Sequence, residues 1–190
     1  MSIELNPAQA GQLLQLARRA IEAHLRGESV SGVEPPHPVF AADAATFVTL
    51  KLAGRLRGCI GTLEPRGTLW RSVHDNALSA AFHDSRFSPL SASELARVQI
   101  SIAILGHSEE VEYRSGDELL ALLRPGVDGV TLGLGRARAT FLPQVWDDLP
   151  EPSRFLAHLC QKAGLPAECW RNDRPRVERY QVCYYEEKRG

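Results

Sequence analysis

The sequence lacks the features that mark several common classes of protein. Its 190 residues carry a formal net charge of only −1, so bulk electrostatics do not indicate binding to nucleic acid or to an anionic membrane. The longest apolar stretch, Val98–Leu105, is too short to cross a bilayer. Residues Met1 to Pro7 lack the basic region followed by an apolar stretch that begins a secretory signal. We therefore expect a cytoplasmic protein that does not associate with membranes.

Metal-binding and cofactor-binding motifs are also lacking. The four cysteines form no Cys-x-x-Cys pair, and no His-Glu-x-x-His pattern accompanies them, so we predict no metal site. In the cytoplasm the thiols should stay reduced. The segment from Gly133 to Gly135 begins like a dinucleotide-binding fingerprint but has neither the third glycine nor the following helix. We therefore predict no cofactor.

What the sequence does contain is an ordinary globular composition, with 44% hydrophobic and 24% charged residues. Capping residues followed by apolar positions at helical spacing predict helices, and alternating apolar positions predict strands. The predicted helices begin near Asn6, Thr68, Ser91, Ser115 and Ser153, and the predicted strands cover Thr46–Leu52, Leu56–Gly61, Val98–Leu105, Gly129–Leu134, Arg138–Leu142 and Arg179–Tyr185. Regular strand–helix alternation is missing, so the pattern predicts an α+β fold with a mainly antiparallel or mixed sheet and flanking helices.

Cys59 is the cysteine with the most suggestive surroundings. Simple strand alternation places Arg57 and Cys59 on one face, where a guanidinium would favour the thiolate if both face a cleft. Gly58 and Gly61 leave room for a ligand or for another backbone to approach. The plainer interpretation is a packed strand cysteine beside a solvated arginine, and the sequence leaves both open.

Charged residues follow the second predicted helix. His83 is expected to help end that helix. Asp84 and Arg86 come directly after it, and Arg86 should either pair with Asp84 or bind an anion. If the protein is an enzyme, Cys59 would be a nucleophile or contact residue, and His83 or Asp84 would orient groups or move protons.

The order of several short motifs resembles the AMMECR family. The motifs are Phe47-Val48-Thr49-Leu50, Leu56-Arg57-Gly58-Cys59-Ile60-Gly61, Asn76-Ala77, Asp84-x-Arg86-Phe87, Asp128-Gly129-Val130, Thr140-Phe141-Leu142-Pro143 and Cys160-x-Lys162-Ala163-Gly164-Leu165. The similarity extends from about Thr46 to Tyr180. Two departures are Ser85, where proline is usual, and Ala139, where glycine is common.

This resemblance implies a single AMMECR-like domain over residues 1–190 with a two-lobed fold. The larger lobe would contain both chain ends, the smaller lobe would come from the middle of the chain, and a cleft would lie near the Leu56–Gly61 segment. Arg57, Gly58, Gly61 and Arg86 are then the expected ligand-binding residues.

The resemblance also implies partners. The sequence also resembles a component of the prokaryotic AmmeMemoRadiSam system, which implies partnership with a Memo-like protein and a radical S-adenosylmethionine protein. One hypothesis is a ligand-binding or partner-binding component of such a system. The other is an enzyme that acts on a small anionic or nucleic-acid-derived substrate. Since no nucleophile–base pair is visible in the sequence, the binding component is favoured.

Overall fold

The computed structural model describes residues 3–28 and 35–188, which form two compact units. The terminal unit contains the described residues up to Leu105 together with those from Cys183 onward, and the central unit contains residues 106–182. Two four-stranded sheets are present, with strand orders β2-β1-β3-β8 and β4-β7-β5-β6. The α+β class with antiparallel sheets is therefore confirmed.

The elements follow one another in an irregular order of helices and strands. The first sheet and its helices consist of α1 (Pro7–Leu25), a 3-10 helix (Pro38–Ala41), β1 (Ala45–Leu52), β2 (Arg55–Gly61), α2 (Leu69–Phe82), α3 (Ala92–Leu95), β3 (Val98–Leu105) and β8 (Val182–Glu186). The second sheet and its helices consist of β4 (Glu109–Glu110), α4 (Gly116–Leu122), β5 (Gly129–Leu134), β6 (Ala137–Phe141), α5 (Val145–Asp148), α6 (Pro152–Lys162), α7 (Cys169–Asn172) and β7 (Arg176–Tyr180).

Helix α1 begins as the sequence predicts. Asn6 accepts from the backbone N–H of Gln9, and the Gln9 side chain accepts from the backbone N–H of Asn6, which completes a capping box. The apolar stripe of the helix is buried: Leu13 and Ile21 are 1% and 0% exposed. This stripe belongs to one core with Ile100 of β3.

Helix α2 packs closely on the same sheet because its buried face is made of small residues. Leu69, Val73, Asn76, Ala77 and Ala80 are all buried. The one polar member, Asn76, donates to both the carbonyl and the hydroxyl oxygen of Thr46 in β1, each at 3.0 Å. A buried amide is tolerated there because its donors are satisfied.

Strand β2 departs from the predicted alternation. It pairs with β1 antiparallel, but the register shifts between Leu50 and Lys51, so that Leu50 faces Gly58 while Lys51 faces Leu56. A bulge of this kind inserts one extra residue, here Arg57, and changes which side chains share a face. The prediction that Arg57 and Cys59 share one face of a regularly alternating strand was therefore wrong.

The last predicted strand, Arg179–Tyr185, is in fact two strands. Gln181 separates β7 from β8, and the two strands join different sheets. The apolar pattern continues across the break, which is why it reads as one strand in the sequence.

The central unit has its own apolar core. Trp146 stacks on Phe155 with ring centroids 3.7 Å apart, and its indole N–H donates to the carbonyl of Asp128. Cys160 in α6 and Cys169 in α7 form a disulfide, and both residues are 0% exposed. The expectation that every thiol is reduced is wrong for this pair.

The described residues, 3–28 and 35–188, contain neither a membrane-spanning helix nor a cluster of metal-binding side chains. No helix in these ranges is both long enough and apolar enough to cross a membrane. In the same part of the chain, no group of three or more His, Cys, Asp or Glu side chains is placed to hold a metal ion.

Candidate functional site

Cys59 lies on the edge strand β2, opposite Thr49 of β1. Its thiol is half-buried and lies 3.2 Å from the hydroxyl of Thr49. Since partners in an antiparallel pair point to the same side of the sheet, the thiol lies on the face away from Leu50, which is fully buried in the core. Cys59 is thus neither a core residue nor freely exposed.

Asp84 and Arg86 hold the backbone of Cys59 in place. The Asp84 carboxylate accepts from the backbone N–H of Cys59 at 2.9 Å, and the Arg86 guanidinium donates to the backbone carbonyl of Cys59 at 3.2 Å. Arg86 also pairs with Asp84 at 2.7 Å, as expected from the sequence. The two side chains therefore supply the hydrogen bonds that a neighbouring strand would otherwise supply.

Asp84 and Arg86 each stabilise the charged form of the other. The Arg86 side chain holds the pKa of Asp84 well below its usual range, and the backbone N–H groups of Cys59 and Arg86 lower it further. The pKa of Arg86 is raised, mainly by its hydrogen bond to Asp84, and the negative charge of a Cys59 thiolate would raise it further. Both members of the pair are therefore charged at neutral pH.

Arg57 has a different environment from the one predicted. It is 9% exposed, and its guanidinium makes two hydrogen bonds to the Glu94 carboxylate and one to the carbonyl of Ser88. The ion pair with Arg57 lowers the pKa of Glu94 to about 2. One guanidinium nitrogen of Arg57, Nη1, is buried with no hydrogen-bond partner in the described structure. The bulge in β2 thus directs Arg57 to α3 rather than to the Cys59 thiol.

Gly58 and Gly61 make room for neighbouring parts of the protein itself. A Cβ on Gly58 would lie 2.1 Å from the backbone carbonyl oxygen of Ala80 in α2, and one on Gly61 would meet the Phe47 ring at 2.3 Å. Of the two approaches that the sequence left open, another part of the same chain accounts for both glycines.

Ser101 is a member of the site that sequence reasoning missed. It pairs with Thr49 across β3 and β1, as Cys59 does across β2 and β1, so the three side chains form a row across three strands. Ser101 is 1% exposed, and its hydroxyl has no hydrogen-bond partner in the described structure. In the sequence, Ser101 alternates with the apolar positions Ile100 and Ile102 of β3, and no sequence signal indicated that it would be buried.

His83 takes no part in this row. It ends α2 through its backbone N–H, which donates to the carbonyl of Ser79, and its side chain is exposed. Among the described residues, the thiol of Cys59 has a hydrogen bond only to Thr49. The structure therefore places an oriented thiol and two hydroxyl groups together, without a proton acceptor bonded to the thiol.

Comparison with known proteins agrees with this fold. The family model for AMMECR1 matches residues 14–185, which is most of the chain and includes every residue of the row. This chain belongs to the AMMECR1 family. The family that the sequence motifs resemble is thus confirmed, and the Cys59 segment lies inside the matched region.

Relatives of this AMMECR1-family protein match along nearly their whole length. A protein of Methanothermobacter thermautotrophicus is 39% identical over 181 residues, which cover 92% of each chain. A protein of Thermofilum pendens is 37% identical over 192 residues, covering 94% of this chain and 89% of the relative. A crystal structure of an uncharacterized protein from Pyrococcus horikoshii superposes with a TM-score of 0.88 at 29% identity, covering 97% of this chain and 94% of that one.

Proposed function

We propose that this protein is a cytoplasmic binding component of an AmmeMemoRadiSam-type system, and that the Leu56–Gly61 segment holds its ligand or partner. Membership of the AMMECR1 family supports the system. The observation that carries the location is the row of Cys59, Thr49 and Ser101, in which a buried hydroxyl has no partner. Buried hydroxyl groups are normally hydrogen-bonded, so the unpartnered hydroxyl of Ser101 supports a site that receives a polar group from a ligand or partner.

The chemistry of the neighbours favours binding over catalysis. Asp84 is held ionised and already accepts from Cys59 and Arg86. A carboxylate with so low a pKa is a poor proton acceptor near neutral pH. We therefore assign Asp84 and Arg86 the positioning of the Cys59 backbone, rather than proton transfer.

The second candidate function is an enzyme with Cys59 as nucleophile, acting on a small anionic or nucleic-acid-derived substrate. The position of Arg86 favours it, because its guanidinium donates to the backbone carbonyl of Cys59 and so lies near that residue. Reactive cysteines often lie beside cationic side chains. This function needs a proton acceptor, which would have to come from the substrate or the partner.

Replacement of Ser101 by alanine tests the binding site without removing a contact present in the structure. Because its hydroxyl is buried and unpartnered, Ser101→Ala should leave the free protein as stable as before, or more stable by about 1 kcal/mol. If the row binds a ligand or partner, the same variant should bind it several-fold more weakly.

The partners are tested by affinity purification at native expression level with quantitative mass spectrometry. We expect the Memo-like and radical S-adenosylmethionine proteins to be recovered with the wild type and with the control variant Cys183→Ala, and less with Ser101→Ala or Thr49→Val. Recovery of neither protein with the wild type would contradict the proposed system. Equal recovery of the partners with all variants would show that they do not bind at Cys59, Thr49 and Ser101.

A further inference from the structure

A cleft of about 880 Å³ opens in the terminal unit at the hairpin end of the first sheet. Four separate segments line it: one stripe of α1, the β1–β2 turn, the start of β3 and the residues after β8. A second cavity of about 460 Å³ shares Lys51 and Gln99 with it. None of Cys59, Ser101 and Arg86 lines either cavity, so the cleft is distinct from the site described above.

The cleft carries more positive than negative charge. Arg18 is neutralised by a 2.6 Å ion pair with Glu187, and Lys51 lies 3.7 Å from Glu186. Two further cations, Arg97 and Lys188, line the cleft and are exposed. Neither of these two side chains has a hydrogen bond or an ion pair within the described residues. The rim therefore offers two unpaired cations to an anionic group.

Gly11 is an unfavourable residue for its position in the fold. It lies inside α1, where glycine destabilises a helix relative to alanine. A Cβ built on Gly11 would meet nothing within 4 Å, so close packing inside the described protein does not account for the glycine. Its surface lines the cleft, and the missing side chain leaves the helix backbone open to an incoming group.

Ala53 is also unfavourable where it stands. With φ of 51° at Ala53 and 80° at Gly54, both central residues of the β1–β2 turn have positive φ, for which asparagine or aspartate followed by glycine is strongly preferred. Positive φ is unfavourable for alanine, which has no polar side chain to form a compensating local hydrogen bond. Its small side chain, however, adds neither bulk nor charge to the lining of the cleft. An aspartate at this position would place a negative charge near Arg97 and Lys188.

We propose that this cleft binds a small organic anion, with its phosphate or carboxylate group between Arg97 and Lys188 and its apolar part over Gly11 and Ala53. Two locally unfavourable residues and two unpaired cations converge on one cavity. Departures from local preference at a shared surface are typical of binding sites. This binding is independent of the function proposed for the Cys59 segment.

The test is a titration of ¹⁵N-labelled protein followed by amide chemical shifts. The probe is 1-naphthyl phosphate, and 1-naphthol serves as its uncharged counterpart. We expect saturable shifts of the Gly11 and Gly54 amides with the phosphate, and much weaker shifts with the naphthol. Raising the salt concentration should weaken binding of the phosphate, since exposed charges are screened.

Ala53→Asp and Ala53→Asn form the matched pair of variants, because both side chains suit the turn and they differ in charge. The aspartate should weaken binding of 1-naphthyl phosphate roughly tenfold, and the asparagine should change it by no more than about twofold. Gly11→Ala should raise the melting temperature and weaken binding.

Equal affinity in the two Ala53 variants would overturn the proposal, as would the absence of saturable shifts at Gly11 and Gly54. Shifts confined to the Cys59 region would also overturn it, and would leave the function proposed for that segment intact. Loss of the Memo-like partner with Ser101→Ala, by contrast, has no bearing on this cleft.

Discussion

Asp84 accepts a hydrogen bond of 2.9 Å from the backbone N–H of Cys59, a residue 25 positions earlier in the chain. Arg86, which pairs with the same carboxylate, donates to the backbone carbonyl of Cys59. Both polar groups of one edge-strand residue are thereby satisfied by a side-chain pair. An edge blocked in this way cannot pair with another strand at that residue, and the Cys59 side chain keeps a fixed direction.

Replacing Arg86 with alanine should destabilise the protein. Asp84 is 5% exposed, and without Arg86 its charge would be buried without a counter-ion. We expect the free energy of unfolding to fall by about 2–3 kcal/mol, below the full range for broken buried pairs because Arg86 is half exposed and water can replace it in part. Urea denaturation at pH 7 measures this loss.

The pH dependence of that loss identifies its cause. Because the folded-state pKa of Asp84 is depressed below 3.8, its contribution to stability is present above about pH 4 and disappears as the pH falls through the folded-state pKa. The difference between wild type and Arg86→Ala should therefore shrink in acid. A difference that stays constant down to pH 2 would show that Arg86 acts by packing instead. Arg86→Lys should recover only part of the loss.

Gly58→Ala should be strongly destabilising. The new Cβ would lie 2.1 Å from a backbone oxygen of Ala80, and a backbone atom cannot rotate away as a side chain can. We expect a loss of about 3 kcal/mol or more, as for overpacked cores, measured by thermal and urea unfolding. Gly133→Ala is the matched strand control, because its nearest neighbour is 3.7 Å away. Similar losses in both variants would refute the close approach of α2 to β2.

Replacing Glu94 with glutamine should reduce stability at neutral pH by about 2 kcal/mol, the scale of a hydrogen bond to a charged group. The hydrogen bonds from Arg57, together with those from Ser91, lower the folded-state pKa of Glu94 from 4.5 to about 2. Its stabilising effect is thus present above about pH 4.5 and is lost as the pH falls towards 2. The glutamine variant should show a flatter dependence of the urea midpoint over this range. Glu28→Gln, in an exposed pair with Arg26, should match the wild type.

The sequence predicted the parts of the fold that depend on local periodicity. The capping box at Asn6 and the alternation of β3 each depend on residues a few positions apart, so the element types follow from local pattern. The family motifs likewise located Cys59, Asp84 and Arg86, although they carried no information about how the three are connected.

What the sequence could not predict depends on distant partners. The bulge at Arg57 arises from the pairing of β2 with β1, and a shift of one residue reverses which side chains share a face. The burial of Ser101 likewise depends on tertiary structure. Both failures concern the candidate site, because its geometry is set by strand register rather than by helix or strand propensity.

The disulfide between Cys160 and Cys169 should stabilise the protein by about 2–3 kcal/mol, the value expected for closing a loop of this length. The two cysteines are nine residues apart. Intact-mass spectrometry after alkylation in denaturant should show two modified thiols without reductant and four with it. The double variant Cys160→Ala/Cys169→Ala should lose stability, whereas Cys183→Ala should lose little. Four modified thiols in freshly purified, unreduced protein would contradict the bond.

Cys59 should react with iodoacetamide faster than Cys183 in the folded protein. Both thiols are free and half-buried, but burial raises the pKa of Cys183, and the charge of Glu4 raises it further. At pH 7.5, Cys183 therefore has a smaller thiolate fraction than it would have at the ordinary pKa of a cysteine. We expect Cys59 to react roughly fivefold faster or more. Peptide mass spectrometry over a time course measures both rates.

Arg57→Gln should leave the reaction rate of Cys59 nearly unchanged if the variant stays folded, because the guanidinium of Arg57 is bonded to Glu94 and not to the thiol. A Cys59 that reacts only when the protein unfolds would be a packing residue, and the alternative of a nucleophilic enzyme would be excluded.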